Sequence, residues 1–145
     1  VLGDLLHAPV GTTSSLLEAV AEWRAGFPAQ IDVVPGNHDR GLHRAAARWD
    51  MDVLPATVTL GALTLTHDPD PHQRASGPEG WVAGHLHPVV RLSGGGDALK
   101  LPCFWFTRSG LVLPAFSAFT GGGPIYPDRT DRVFAIADDA VIDLS

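Results

Sequence analysis

The sequence predicts an α/β fold. The first third alternates β-branched apolar runs with stretches of helical spacing, and the remainder breaks into short apolar runs divided by Gly and Pro. With 16 Gly and 12 Pro among 145 residues and only 18% charged side chains, the composition favours sheets joined by tight turns over a helical bundle.

Val1 and Leu2 read as the end of a buried strand, and Gly3-Asp4 as the turn after it. Residues 12–26 place Leu16, Leu17, Val20 and Trp23 at helical spacing, with Ser14 or Ser15 available as a cap and Gly26 and Pro28 as a stop. Residues 31–35 (IDVVP) are a short buried strand, and GNHDRG is the loop that follows. Residues 41–49, with Ala45, Ala46, Ala47 and Trp49, form a second helix. This strand–helix–strand–helix order is that of a parallel, layered α/β unit. After Asp50 come MDVLP, TVTL, ALTLTH, WVAGH, VVRLS, LKLPCFWF, GLVLPAF, RVFAIAD and AVIDLS. They predict a second, mainly antiparallel sheet, with hairpin turns at Gly61-Ala62, residues 93–97 and Asp138-Asp139. The whole chain, 1–145, is expected to be one domain. Because it opens inside a strand, that domain is expected to be incomplete at its N-terminus.

Net charge narrows the function classes. Sixteen acidic and ten basic side chains leave −6, Lys100 is the one lysine, and no basic run exists. Strong non-specific nucleic-acid binding through counterion release is therefore not indicated. Bound cations would reverse the sign locally, so a nucleic-acid substrate stays open. Cys103 is the one cysteine, which excludes an intrachain disulfide, and among apolar neighbours it reads as a buried structural thiol. No apolar run is long enough to span a bilayer and nothing resembles a signal peptide, so no membrane association and a cytoplasmic location are expected.

Four short motifs carry the chemistry. They are GD at 3–4, GNHD at 36–39, His67, and GHLH at 84–87, and each follows an expected strand. Loops beyond strand carboxyl ends are where sites gather in layered α/β sheets. Asp4 is an anionic donor able to bridge two ions, Asn37 a neutral oxygen, and His67, His85 and His87 imidazole nitrogens. Mixed oxygen and nitrogen donors without thiolate suit Mn, Fe or Zn. Two such ions can clamp the attacking and leaving oxygens of a displacement at phosphorus. If GHLH continued its strand, His85 and His87 would share one side.

In this order the motifs resemble the calcineurin-like metallophosphoesterases, whose pattern is D-x-H, GD, GNH[DE], H and GHxH. GDLLHA, PGNHDR, AGHLHP, KLPCFWF, LPAFSAFTGG and DRVFAIAD further resemble the bacterial ligase-associated DNA damage response endonuclease/phosphoesterase (PdeM) group. The resemblance implies an α/β/β/α sandwich, two mixed sheets flanked by helices. It also implies two divalent ions, Mn foremost with Fe or Zn as alternatives. Asp4 would bridge them, Asn37, His67 and His85 would complete one site, and His87 would belong to the other. His38 would be the catalytic histidine, with Asp39 orienting it. The implied reaction is attack of metal-bound hydroxide on a phosphodiester, DNA in a repair context, with an ATP-dependent DNA ligase and a helicase as functional partners. The first strand and its D-x-H fall outside the sequence, so the chain alone is expected to be weak or inactive. A phosphomonoesterase and a non-catalytic repair-partner module are the alternatives.

Other residues stay open between two readings. His7 is either a substrate contact or a turn residue. Arg40, Arg44 and Arg48, four apart, are either a rail for a phosphate backbone or a solvated face. Residues 119–123 (FTGGG) form either an anion nest or a structural turn. Asp68 and Asp70 either tune His67 or belong to a capped loop. His43 and His72 read as surface histidines. Trp49, Trp81, Trp105 and the phenylalanines read as core.

Overall fold

A computed structural model describes residues 1–6, 12–69, 80–117 and 120–145. It contains a small parallel sheet, a large mixed sheet and two helices among the described residues.

The small sheet forms from the β-branched runs. Leu2 bridges Val34 in parallel, and the Val34 amide donates to the Val1 carbonyl at 2.9 Å. Strand β1 (Asp32–Val33) pairs in parallel with β2 (Asp52–Val53), Val33 opposite Val53. MDVLP thus joins this sheet rather than the second one. The Leu54 amide reaches the Val33 carbonyl at 2.9 Å and extends the β1–β2 pairing by one bond.

Helix α1 spans Ser14–Ala25 and α2 spans Leu42–Arg48. The α1 cap is Thr13, whose hydroxyl accepts from the Leu16 amide at 3.2 Å. Ser14 and Ser15 already lie inside the helix, so neither serves as the cap. The apolar stripe of α1 is only partly used. Leu17, Val20 and Ala21 pack on the core, while Trp23 is 55% exposed and stacks on Phe27. In α2, Leu42, Ala45, Ala46 and then Trp49 recur at helical spacing and are buried with Leu6, Val33 and Met51. The Trp49 indole donates to the Leu17 carbonyl at 3.0 Å and so ties the two helices.

The large sheet begins with the expected hairpin of β3 (Thr57–Leu60) and β4 (Leu63–Thr66). Its centre departs from the antiparallel expectation. Strand β5 (Gly80–Ala83) pairs in parallel with β4. Beyond the hairpin of β6 (Pro88–Gly94) and β7 (Asp97–Phe106), β8 (Gly110–Val112) pairs in parallel with β5. The β6–β7 turn is Gly95-Gly96, both at positive φ. The long β7 serves two neighbourhoods. Its first half pairs with β6, and its second half pairs with β8 and with β10 (Arg132–Ala137). Strand β9 (Gly123–Pro124) lies on the other edge of β6, and β11 (Ala140–Asp143) closes the hairpin at Asp138-Asp139.

Trp81, Ala83 and Val112 form the core of the parallel centre, with Leu86 and Trp105 packed against them. Cys103 is buried, as its apolar neighbours suggest, and burial pushes its thiol up to about 11. No described helix is long and apolar enough to cross a membrane.

Parallel pairing has one consequence for function. Thr66 lies opposite Ala83, so the residues that follow, His67 and Gly84, emerge at the same end of the sheet. Leu2 opposite Val34 does the same for Gly3-Asp4 and Gly36-Asn37.

Candidate metal centre

Four loops, from four strand ends, meet at Asp4, Asn37, His67 and His85. The glycines before them permit the approach. A Cβ at Gly36 would fall on the Asp4 carboxylate and backbone nitrogen. One at Gly3, where φ is +81, would fall on the His67 ring. Glycine is the residue that leaves room for two backbones this close.

His67 is the hub. It is 5% exposed, and its Nδ1 lies 2.9 Å from the Leu2 carbonyl oxygen. That oxygen can only accept, so Nδ1 carries a proton toward it and Nε2 is the nitrogen turned inward. Around Nε2 stand Asn37 Oδ1 at 3.0 Å, His85 Nδ1 at 2.9 Å and Asp4 Oδ2 at 3.4 Å. The two imidazoles meet edge to face, with centroids 4.7 Å apart. Ligand atoms of Asp4, His67 and His85 all fall within 4.8 Å of one another.

This arrangement passes a physical test for a cation. Asp4 and Asn37 present acceptor oxygens, and His67 a lone pair, toward one point. Acceptors crowded in this way repel unless protons or a cation stand between them. Two nitrogens and two oxygens match a borderline divalent ion rather than Ca²⁺ or a thiolate zinc site. The Leu2 carbonyl behind His67 is the backing group that fixes tautomer and ring direction in metal-binding histidines.

Asp4 serves both loops. It adopts φ 53, and its Oδ1 accepts from the His38 amide at 3.0 Å while Oδ2 faces His67. The expected catalytic residues differ from each other in placement. His38 sits exposed on the GNHD turn, beside Asp4. Asp39 is buried, and each of its oxygens takes a backbone amide: Leu6 at 2.7 Å and Gly36 at 2.7 Å. It clasps the GD loop to the GNHD loop from behind the site.

GHLH does not continue its strand. Strand β5 ends at Ala83, and 84–87 form a turn whose first amides, Gly84 and His85, both donate to the His67 carbonyl at 3.1 and 3.0 Å. The shared-side argument for His85 and His87 therefore fails, because alternation holds only within extended backbone. His85 joins the cluster through this turn. His87, half-buried at φ 45, stands outside the Asp4–His67–His85 group, and its carbonyl accepts from the Gly123 amide at 3.0 Å.

Arg40 and Arg44 are exposed on the turn and helix after GNHD, and Arg48 lies 3.7 Å from Glu18. Asp68 and His43 are exposed. His7, Asp70, His72 and Phe119 lie outside the described residues. Trp49 and Trp81 are buried and Trp105 is half-buried, as expected of core residues, whereas Phe27, Phe106 and Phe116 are exposed and depart from that expectation. Two supporting groups had no sequence signal of their own. The Leu2 carbonyl is backbone, and the Asp39 clasp depends on loops 33 residues apart.

No protein-family model and no curated protein matches the chain. Among solved structures, the chain is similar to the Pseudomonas putida nuclease MPE. The match has 34% sequence identity and a TM-score of 0.81, and covers 99% of this chain and 68% of that one.

Proposed function

Since the chain belongs to the family of the Pseudomonas putida nuclease MPE, we propose that it is a calcineurin-like metallophosphoesterase that hydrolyses phosphodiester bonds, with nucleic acid as the substrate class. The observation that carries this reading is the convergence of Asp4, Asn37 and His85 on His67 Nε2, with Nδ1 anchored on Leu2.

Asp4, Asn37, His67 and His85 would hold one divalent ion, Mn in our reading. Asp4 and His87 would contribute to a second. When bound, such ions supply charge stabilisation at phosphorus and acidify water. The protein's own residues do the rest. Leu2 keeps the Nε2 lone pair aimed at the site. Asp39 holds the GD and GNHD loops together, so that Asp4 and Asn37 keep their places. His38, exposed and bonded through its amide to Asp4, would give a proton to the departing oxygen. Arg40 and Arg44, exposed near the same turn, offer guanidinium groups to flanking phosphates.

The test is hydrolysis of bis-p-nitrophenyl phosphate and of p-nitrophenyl phosphate with Mn²⁺ added. Preference for the diester supports the proposal. Preference for the monoester assigns a phosphomonoesterase, and activity on neither together with no bound Mn²⁺ leaves a non-catalytic module.

A further inference from the structure

We propose that Lys100 is a positioning residue for His87, acting across β6 through the glycine loop at 121–123. The proposal rests on the reading of His87 as a site histidine and adds the element that holds it there.

His87 sits at φ 45, a left-handed conformation that a β-carbon disfavours. Such a conformation persists where the surroundings over-determine it. The surroundings here are β6 and its outer neighbour. Pro88 and Val89, directly after His87, pair in parallel with Gly123 and Pro124. Two backbone bonds seal that pairing: the Gly123 amide on the His87 carbonyl at 3.0 Å and the Ile125 amide on the Val89 carbonyl at 3.1 Å. Pro124 has no amide to give. A strand of two residues held by two bonds is weak on its own.

Lys100 supplies the missing hold. It lies on β7, opposite Arg91 of β6, on the far side of β6 from β9. Its Nζ donates to the carbonyls of Gly121 and Gly122. The side chain therefore straps the loop down over β6. Gly122 is at φ +63, and a Cβ there would meet the Val89 side chain and lie 2.9 Å from the His87 carbonyl oxygen. The loop is thus pressed against the backbone of His87 itself. The chain's one lysine is spent on two carbonyls. An ammonium group directed at carbonyls is a structural donor rather than a substrate contact.

The experiment compares Lys100→Met and Lys100→Arg with the wild type in two readouts. The first is independent of metal: amide hydrogen exchange at Gly123. Lys100→Met is expected to speed it, and Lys100→Arg to restore most of the protection. The second is Mn²⁺ titration. Lys100→Met is expected to weaken binding of one ion about 10–100-fold, as loss of an outer support does elsewhere, while the melting temperature stays near wild type. Unchanged exchange at Gly123 overturns the strap. Faster exchange with unaltered Mn²⁺ binding overturns the positioning role. A wild type that binds no Mn²⁺ defeats the metal reading instead, and the exchange arm still decides the strap.

Discussion

The Leu2 carbonyl oxygen stands 2.9 Å behind His67 Nδ1, at the place where the small sheet touches the end of the large one. This contact helps to join the two sheets and sets which ring nitrogen faces the site. It makes His67 the donor with the least freedom in the site. Replacing His67 by Ala should lower Mn²⁺ affinity by more than the about 10–100-fold typical of an outer-shell change. Calorimetric titration reads this directly. Affinity equal to wild type would remove His67 from the ligand set.

Gly36 tests whether close backbone approach is essential. A methyl group there meets the Asp4 carboxylate and nitrogen, so Gly36→Ala must push the GD loop outward. Overpacking of this kind costs about 1–3 kcal/mol. Denaturant unfolding should show that loss, accompanied by weaker Mn²⁺ binding. Gly61, where a Cβ meets nothing, is the control for added volume, although its own φ of +61 brings some backbone strain.

Asp39 predicts a stability effect more than a chemical one. Its two oxygens accept from buried or half-buried amides. Hydrogen bonds to a charged acceptor contribute about 1.5–3 kcal/mol each. Asp39→Ala should therefore destabilise the fold by a few kcal/mol at least, seen as a lower denaturation midpoint. If stability holds and only turnover falls, Asp39 acts on His38 and not as a clasp.

The element order was readable from the sequence because periodicity reports local structure. The helices at 14–25 and 42–48, the Gly61-Ala62 and Asp138-Asp139 turns and the small-sheet strand all follow from spacing and turn residues. Strand direction was less accessible. The parallel β4–β5–β8 centre depends on crossovers whose direction short apolar runs do not encode. In the site, Asp4, Asn37, His67 and His85 stood out through motif order. His87 was misjudged in geometry, since a turn at 84–87 interrupts the alternation that the sequence suggested. The Leu2 carbonyl, like any backbone group, leaves no mark on residue type.

Cys103 gives a pH prediction. Burial raises its thiol to about 11 from an ordinary 9.0, so the folded state favours the neutral form. The stability this contributes is complete below the unfolded value and fades as pH climbs from about 9 toward 11. The native protein should resist thiol reagents at pH 8 and react once unfolded. Rapid labelling of native protein would place the thiol at the surface.

Arg40 and Arg44 are expected to distinguish polymeric from small substrates. Neutralising both should weaken cleavage of a DNA oligonucleotide while leaving bis-p-nitrophenyl phosphate hydrolysis within a few-fold of wild type. It should also flatten the salt dependence of the DNA reaction, since each phosphate contact releases counterions. Equal losses on both substrates would put these arginines in the catalytic step rather than along a substrate path.

The most direct measurement is Mn²⁺ binding and diester hydrolysis followed together in wild type and in His85→Ala, with and without a chelator. Convergent acceptors at His67 predict that the wild type binds Mn²⁺ and cleaves the diester weakly. They also predict that chelation abolishes cleavage and that His85→Ala loses both properties. Diester cleavage that survives chelation, or Mn²⁺ binding untouched by loss of His85, would contradict the account.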